Sequence, residues 1–246
     1  GATPEQRIAQ IVEVKPEMAS LNTNTMNFSF IDRKTGQILL DNVFENTFTM
    51  LQDFGKAMEE NGVKPEIEVY DIGGLDNVLM IMNQGFFTDP MNFNFVWGVA
   101  GGQKFRPEAF TTLYNALPPG ANFTTCGVGN DEFPCIMQSC LMGGHMRVGL
   151  EDSLFISRGE LEESNAQQVA KILRIVEDLR ITPAQLPGVE KEGPVDELGH
   201  LAFNDRSVLL RSFLLDLFCF FFRHFSYSPV LAAFFSATAF SRSLLP

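Results

Sequence analysis

The clearest indication of the fold is the sequence EIEVYD, residues 66–71. Polar and apolar side chains alternate along it, which is the two-residue period of a strand whose two faces meet different surroundings. Polar residues end the stretch, and a helical pattern follows at Leu75–Gln84. A strand that leads directly into a helix is the first half of a βαβ unit, so the stretch predicts a parallel sheet.

The same order of strand and helix recurs along the chain. Further runs that predict strands are Glu17–Asn22, Phe93–Gly98, Phe123–Gly129 and His145–Leu150. The other stretches that predict helices are Phe44–Asn61, Pro107–Ala116, Asp131–Leu141 and Ser164–Arg180, with an earlier helix start at Thr3-Pro4-Glu5. Strands that alternate with helices predict an α/β protein.

Two α/β architectures fit this order, an open doubly wound sheet and a (β/α)8 barrel, the TIM barrel. An open nucleotide-binding sheet usually carries a glycine-rich phosphate turn after its first strand, and the sequence has no GxGxxG or P-loop pattern. The predicted strands instead end in different polar residues, as barrel strands do where they build an active site. We therefore expect an incomplete barrel with about five of the eight βα units. Three further strands would precede Gly1.

Composition and charge narrow the classes of function. The chain has 246 residues, of which 45% are hydrophobic and 20% charged, so we expect a sizeable folded core. The formal net charge is −12 and no basic patch is visible, which argues against a nucleic-acid partner. The first residues lack the pattern of a signal peptide, and the four cysteines form no CxxC pair. These features predict reduced thiols in a cytoplasmic protein; a nucleophilic Cys126 is the less favoured alternative.

The richest candidate segment is GGHMRVGLED, residues 143–152. On a strand, His145 and Arg147 share a face, and a cation inside a barrel needs an anionic partner. Glu151 and Asp152 come just after the strand, where barrel ligands bind. One carboxylate could hold a metal while the other acts as a base oriented by Arg147. The alternative is a salt bridge at the strand end beside an acid pair at a helix N terminus.

Two more segments carry polar side chains that suit a site. Glu66 and Glu68 share one face of their predicted strand, and buried acids are costly unless they face a cavity, a cation or solvent. A solvated edge strand is the alternative. Residues 20–28 run from a strand end into a loop rich in hydroxyl and amide groups, which suits a carboxylate or carbonyl ligand. A plain turn is the alternative there.

The sequence offers few ligands for a transition metal. Among its three histidines, His145 stands apart from His200 and His224. Zinc normally takes three or four protein ligands. Glu151 is one good carboxylate ligand, but the sequence has no HxH or HExxH pattern. The residues of this chain alone therefore do not complete a zinc site.

Six sequence blocks resemble the β-keto acid cleavage enzymes. They are KPEMASLNTNTMNF (15–28), KPEIEVYDIG (64–73), FNFVWGVAGG (93–102), CGVG (126–129), GGHMRVGLED (143–152) and ESNAQQVAK (163–171). The resemblance covers about residues 1–185, and six blocks in register are far more specific than one short motif. It implies a zinc-dependent (β/α)8 barrel that converts a β-keto acid and acetyl-CoA into acetoacetate and a new acyl-CoA thioester.

The resemblance also implies roles for particular residues. Asp152 would be the catalytic base, Arg147 would orient it, and Glu68 would be the inward-facing catalytic glutamate of a middle strand. Glu151 would bind zinc together with the two histidines of an HxH pair. The substrate contacts would be Ser20, Asn22 and Gly1.

The sequence departs from the family at both ends. The family's first three strands, which carry the HxH pair, have no counterpart here, so zinc would lose two of its three protein ligands. Members of the family commonly form tetramers, so we expect a homo-oligomer. Since the family's activity needs the missing histidines, an inactive fragment that acts as an interaction module is the main alternative. A divalent-metal aldolase or hydrolase on a similar barrel is a weaker one.

The chain divides into a partial barrel domain, residues 1–185, and a divergent region, residues 186–246, called the C-terminal tail below. Ten of the 24 phenylalanines lie from Phe203 onward. The apolar run 208–222 is shorter than the roughly 20 residues that span a bilayer. Three interpretations remain open: a membrane hairpin, an association segment, or sequence never selected to fold, such as translation past a frameshift or a wrong splice junction. We favour the third.

Overall fold

The computed structural model describes residues 3–32 and 34–183. The predictions made for Gly1 and for the C-terminal tail lie outside the described residues, and the division at residue 185 stays a prediction. The helices are α1 (Pro4–Val14), α2 (Phe48–Glu60), α3 (Ile72–Ile81), α4 (Pro107–Ala116), α5 (Glu132–Leu141) and α6 (Asn165–Asp178). The strands are β1 (Met18–Asn22), β2 (Met26–Ile31), β3 (Ile38–Phe44), β4 (Lys64–Val69), β5 (Asn92–Trp97), β6 (Asn122–Gly127), β7 (His145–Met146), β8 (Phe155–Ser157) and β9 (Glu160–Leu161).

Five strands form one parallel sheet whose order follows the order of the chain. The order is β1, β4, β5, β6, β7, and all of these pairs are parallel. A doubly wound sheet would reverse its strand order at a switch point, and this sheet does not. The order is consistent with part of a TIM barrel, as expected from the sequence.

The helices pack on one face of this sheet, called the outer face below. The largest core cluster joins the outward-facing side chains of β4, β5 and β6 to α3, α4, α5 and α6. A second cluster joins Ala19 and Leu21 of β1 to α2, with Ile8 and Ile11 of α1 against it. Helices on one face only are typical of a barrel, since a doubly wound sheet is covered on both faces.

Local chemistry explains where these helices begin. Thr3 caps α1 with a capping box to Gln6, and Pro4 follows in the first turn. Asp71 caps α3 through a hydrogen bond from the Gly74 amide, 3.0 Å long. Since only Tyr70 separates Asp71 from the end of β4, this cap fixes the geometry where the strand turns into the helix.

The structure corrects the sequence interpretation between β1 and α2. Residues 26–44 form a β-hairpin, β2–β3, rather than a loop that leads into a helix at Phe44. Thr47, not a residue near Phe44, caps α2. The base of the hairpin packs on the sheet, because Met26 is buried with Tyr70, Val96 and Cys126. The hairpin thus covers part of the sheet face opposite the helices.

The last predicted strand is shorter than expected. Only His145 and Met146 pair with β6, while the prediction ran to Leu150. One further backbone hydrogen bond joins this segment to β6, since the Arg147 amide donates to the Thr125 carbonyl at 3.0 Å. Among residues 3–32 and 34–183, no helix is long and apolar enough to cross a membrane.

Candidate functional site

The sheet face opposite the helices, called the inner face below, is lined by polar side chains. Parallel pairing aligns Asn22, Glu68, Asn94, Thr124 and His145 in one row across the five strands. Paired residues of parallel strands project to the same side, so these five side chains share the inner face. We call this set the middle row.

A second polar row lies one pleat nearer the N-terminal ends of the strands. It contains Ser20, Glu66, Asn92 and Asn122. The Ser20 hydroxyl donates to Glu66 Oε2 at 3.4 Å. Burial and the nearby charge of Glu68 raise the pKa of Glu66, while Arg147 opposes that shift. Both acids therefore lie on the inner face, and β4 is an interior strand of the described sheet rather than a solvated edge.

Arg147 joins the two carboxylates that follow β7. Its Nε donates to Asp152 Oδ2 at 3.1 Å, and its Nη2 donates to Asp152 Oδ1 at 3.2 Å. The same Nη2 donates to Glu151 Oε2 at 2.5 Å. The Asp152 side chain is 5% exposed, against 15% for Arg147 and 24% for Glu151. A planar guanidinium that holds one carboxylate by two bonds fixes its orientation more tightly than a point charge does.

This segment is not an acid pair at a helix N terminus. The elements that follow Glu151 and Asp152 are the short hairpin β8–β9, not a helix. Backbone bonds hold the turn instead, since the amides of Asp152 and Ser153 both donate to the Gly149 carbonyl. The salt bridge expected under the same alternative is present, between Arg147 and the two carboxylates, but its side chains are largely buried.

Burial and charge act in opposite directions on the three groups. Burial raises the pKa of Asp152, and the charge and hydrogen bonds of Arg147 pull it down. Burial raises the pKa of Glu151 to about 7 against the same opposing charge. Burial disfavours the charged form of Arg147, but the negative charges of Asp152, Glu151 and Glu68 act against burial and the pKa of Arg147 is raised. Arg147 therefore stays cationic, and Asp152 has the balanced environment that suits a proton acceptor.

Glu68 is held by the first residue beyond its own strand. The Tyr70 hydroxyl donates to Glu68 Oε2 at 3.1 Å. Burial, followed by the charge of Glu68, raises the pKa of Tyr70 well above its usual range, so the phenol keeps its proton and remains a donor. The second oxygen, Glu68 Oε1, is left for other contacts on the inner face.

The segment after β1 is buried rather than a plain turn. Asn22, Thr23 and Asn24 are all buried. The Thr23 hydroxyl donates to the Glu68 carbonyl at 2.9 Å, and Asn24 Nδ2 donates to Asp71 Oδ1 at 2.7 Å. Asn22 Oδ1 accepts from the Asn24 amide at 2.8 Å, whereas its Nδ2 has no partner among the described residues. Asn22 therefore presents a free donor in the middle row beside Glu68.

Two buried polar residues were missed by the sequence interpretation. Asn94 lies in FNFVWG, which appears as a purely apolar strand with an incidental asparagine. Glu132 appears as an ordinary acid in a first helical turn, yet it is 0% exposed. Burial raises the pKa of Glu132 to about 8. The Gly149 amide and the Ser153 hydroxyl are near enough to oppose that shift, but neither makes a hydrogen bond of ordinary geometry to it.

The cysteines do not form a nucleophilic centre in the described part of the chain. Cys126, Cys135 and Cys140 are free, and the first two are buried. Burial raises the pKa of the Cys126 thiol well above its usual range. A thiol that stays protonated is a poor nucleophile, so Cys126 is a packing residue beneath Met26 and Tyr70.

The described residues do not fit a zinc ion by themselves. No group of three or more histidine, cysteine or acidic side chains that could hold a metal occurs in residues 3–32 and 34–183. Glu151 supplies one carboxylate, and Arg147 already occupies its Oε2. Zinc needs further ligands, so the described residues do not complete a zinc site.

The fold and site together define the class of protein. A parallel sheet in barrel order carries carboxylates and a guanidinium at the C-terminal ends of its strands, as TIM-barrel enzymes do. The family described as beta-keto acid cleavage enzyme matches residues 1–189. This chain therefore belongs to the β-keto acid cleavage enzyme family.

Individual relatives agree with that membership. A 3-keto-5-aminohexanoate cleavage enzyme of Acetoanaerobium sticklandii is 37% identical over 192 residues, which cover 78% of this chain and 66% of the relative. Its namesake from Fusobacterium nucleatum is 38% identical over 179 residues, covering 73% and 61%. A 3-dehydrocarnitine:acetyl-CoA trimethylamine transferase of Rhizobium meliloti is 34% identical, covering 73% and 56%. The chain thus spans less than two thirds of the length of these relatives.

Solved structures share the fold. The apo structure of ObcA matches with a TM-score of 0.54 at 17% identity, covering 68% of this chain and 42% of that one. A binary complex of ObcA with oxaloacetate matches equally well, at 16% identity. At such low identity the likeness concerns the fold alone.

Proposed function

We propose that the site carries out acyl transfer between a β-keto acid and acetyl-CoA, giving acetoacetate and a new acyl-CoA thioester. The observation that carries the proposal is the two-point hold of Arg147 on Asp152 beside the polar middle row. The names of the relatives include acetyl-CoA as a co-substrate, which supports its use here.

The chemistry begins with loss of a proton from C2 of the β-keto acid. That carbon is acidic because the resulting carbanion is delocalised onto the keto oxygen. Asp152 accepts the proton, and Arg147 keeps its carboxylate in one orientation. The C2 carbanion attacks the thioester carbon of acetyl-CoA, a carbon–carbon bond forms, and the CoA thiolate leaves.

The second half of the reaction transfers the acyl group of the β-keto acid to CoA. The thiolate attacks C3, the original keto carbon, and the C2–C3 bond breaks with its electron pair returning to C2. Protonated Asp152 returns its proton to C2. Acetoacetate leaves with the acetyl group it has gained, and the rest of the β-keto acid leaves as the acyl-CoA thioester. We expect Glu68, whose Oε2 accepts from the Tyr70 hydroxyl, to face the substrate as well, because its charge acts on Asp152 across the same inner face.

We further propose that Glu151 is one ligand of a zinc ion. When bound, zinc would polarise the keto and carboxylate oxygens of the substrate. The two histidines of the family's HxH pair would have to come from outside the described residues. Burial raises the pKa of Glu151 to about 7; a further cation beside this carboxylate would stabilise its charged form, which supports the proposal.

The test is an assay of the whole chain with acetyl-CoA, a β-keto acid and added Zn²⁺. The proposal expects acetoacetate and acyl-CoA to form in equal amounts and only when acetyl-CoA is present. Products formed without acetyl-CoA would instead indicate an aldolase or hydrolase. If the folded protein forms no product under any of these conditions, the result would favour an inactive fragment that acts as an interaction module. The observation behind that second candidate is that the described residues lack a metal-binding group.

A further inference from the structure

We propose that Tyr70 is a positioning residue of this site, whose hydroxyl holds one carboxylate oxygen of Glu68 so that the other faces the substrate. The inference rests on the proposed function, since it assigns a further residue to the same site. Tyr70 is 7% exposed, and its hydroxyl donates to Glu68 Oε2 at 3.1 Å. The phenol thus reaches back from the residue after β4 to a carboxylate two positions earlier on the strand.

The backbone of Tyr70 is fixed on both sides. Its amide donates to Asn24 Oδ1 at 3.0 Å, and its carbonyl accepts from the Gln103 amide at 3.0 Å. Asn24 follows β1 and Gln103 follows β5, and these are the two strands that flank β4 in the sheet. The position of the Tyr70 backbone is therefore set by the two neighbouring loops as well as by its own strand.

The ring of Tyr70 is packed as well. It lies in the buried cluster with Met26, Val96 and Cys126, so the base of the β2–β3 hairpin covers it. A Cβ on Gly102 would lie 3.2 Å from Tyr70 Cδ1, which shows how closely the loop after β5 approaches the ring. A ring that packing already holds loses little further freedom when its hydroxyl binds a partner. Tyr70 is therefore a rigid donor to Glu68.

Glu68 needs such a donor because it lies among like charges. Burial raises the pKa of both Glu66 and Asp152, and the charge of Glu68 adds to that shift. Arg147 is the cation of this cluster, but its hydrogen bonds go to the two carboxylates after β7. In the described part of the chain, the Tyr70 hydroxyl is the one donor to the Glu68 carboxylate.

Two interpretations of this hydrogen bond make different predictions. A buried phenol needs a hydrogen-bond partner in any folded protein, and Glu68 could serve only to satisfy it. Under the positioning role, the bond instead fixes the Glu68 carboxylate for the reaction, because a donor that cannot move holds an acceptor in one orientation. Loss of the hydroxyl then affects turnover more than stability or substrate binding.

The experiment uses the whole chain with acetyl-CoA, Zn²⁺ and a β-keto acid that wild type turns over. Tyr70→Phe removes the hydroxyl and keeps the ring, so the packing against the hairpin stays. Its kcat for acetoacetate formation should fall by about tenfold, with much smaller changes in both KM values and a melting temperature close to wild type. Tyr114→Phe, at a position on α4 that is 36% exposed, is the matched control and should turn over like wild type.

A double-mutant cycle shows whether Tyr70 acts through Glu68. In a Glu68→Ala background the hydroxyl has no carboxylate to hold, so Tyr70→Phe should have little further effect on the rate. Acetoacetate accumulated over long incubations measures the slow variants. A fall by the same factor in both backgrounds would show that the hydroxyl acts independently of Glu68 and would overturn the inference.

Three further results decide between the proposals. A wild-type kcat in Tyr70→Phe would overturn the inference and leave the proposed function intact. A lower melting temperature with raised KM values and an unchanged kcat would show that the hydroxyl supports the fold, and would also overturn the inference alone. Failure of wild type to form acetoacetate from any β-keto acid would overturn both.

Discussion

Arg147 holds three of the four carboxylate oxygens of Glu151 and Asp152, and this geometry is the most specific feature of the site at the scale of single residues. The charge of Arg147 offsets the effect of burial on the pKa of Asp152. The planar guanidinium also orients the Asp152 carboxylate through two hydrogen bonds. A lysine supplies the charge without the shape.

We therefore predict that Arg147→Lys lowers kcat for acetoacetate formation by about 100-fold or more while changing KM much less. The measurement is steady-state kinetics with acetyl-CoA varied at a saturating β-keto acid concentration. Arg174→Lys, at an exposed position on α6, is the matched control and should turn over like wild type. Equal kcat in Arg147→Lys and wild type would show that orientation of Asp152 is not needed.

Glu132 gives a prediction about stability and pH. Its pKa is raised to about 8 by burial, so between about pH 4.5 and 8 the folded state keeps a proton that the unfolded state releases. The free energy of unfolding therefore falls as pH rises through that window. Glu132→Gln removes this dependence, so its stability relative to wild type should rise from pH 5 to pH 8, by on the order of a few kcal/mol.

Chemical denaturation of both proteins at several pH values measures this difference. Glu160→Gln, at an exposed position in β9, is the control and should show little change. A difference between Glu132→Gln and wild type that stays flat from pH 5 to pH 8 would mean that Glu132 is ionised in the folded protein.

The sequence predicted the charged residues of the site better than its neutral ones. Arg147, Glu151 and Asp152 come together as expected, because all three lie within six consecutive positions at a strand end. Asn94 was missed because an asparagine between phenylalanines does not show whether its amide is paired. That property depends on β4 and β6, which come from distant parts of the chain. The roles of Glu68, Ser20 and the others stay predictions.

At the scale of elements, the hairpin β2–β3 is one that the sequence did not predict, and the short hairpin β8–β9 is another. Several large apolar side chains of β2–β3 are exposed, among them Phe30, Ile31, Ile38, Leu39 and Val43. Apolar residues therefore do not mark the buried face, and the sequence lacks the clean alternation of apolar and polar residues that predicts a half-buried strand. Instead, tertiary contacts fix the hairpin, including the packing of Met26 on the sheet and the approach of Gly101 to Asn27.

Gly101 is essential to that approach. Its φ is +103°, and a Cβ there would lie 1.7 Å from the Asn27 carbonyl oxygen. We predict that Gly101→Ala destabilises the protein by several kcal/mol, since backbone must move. Gly36→Ala is the control, with φ of +73° and open space around it, and should cost only about 1–2 kcal/mol of backbone strain.

Thermal and denaturant unfolding of the two variants compares these costs. If Gly101→Ala is no less stable than Gly36→Ala, the hairpin does not pack against the loop after β5 as described. Loss of that packing would also uncover Tyr70 and Cys126, next to the site, so the same variants link the hairpin to the environment of Glu68.

At the scale of the whole molecule, chain-order strands and helices on one face support part of a barrel. The strand count predicted from sequence agrees with the described sheet, because each βα unit has its own local pattern and needs no distant information. A cytoplasmic location and a homo-oligomer stay predictions. So does the division at residue 185, since the C-terminal tail lies outside the described residues.

In the proposed reaction, Asp152 starts a transfer in which acetyl-CoA gives its acetyl group to the C2 carbanion. The most direct measurement is NMR of the products formed by the whole chain from doubly ¹³C-labelled acetyl-CoA and an unlabelled β-keto acid. We expect label at C3 and C4 of acetoacetate and none in the acyl-CoA, and a reaction at least about 100-fold slower for Asp152→Asn. Label in the acyl-CoA, an absence of labelled acetoacetate, or an equal rate for Asp152→Asn would contradict it.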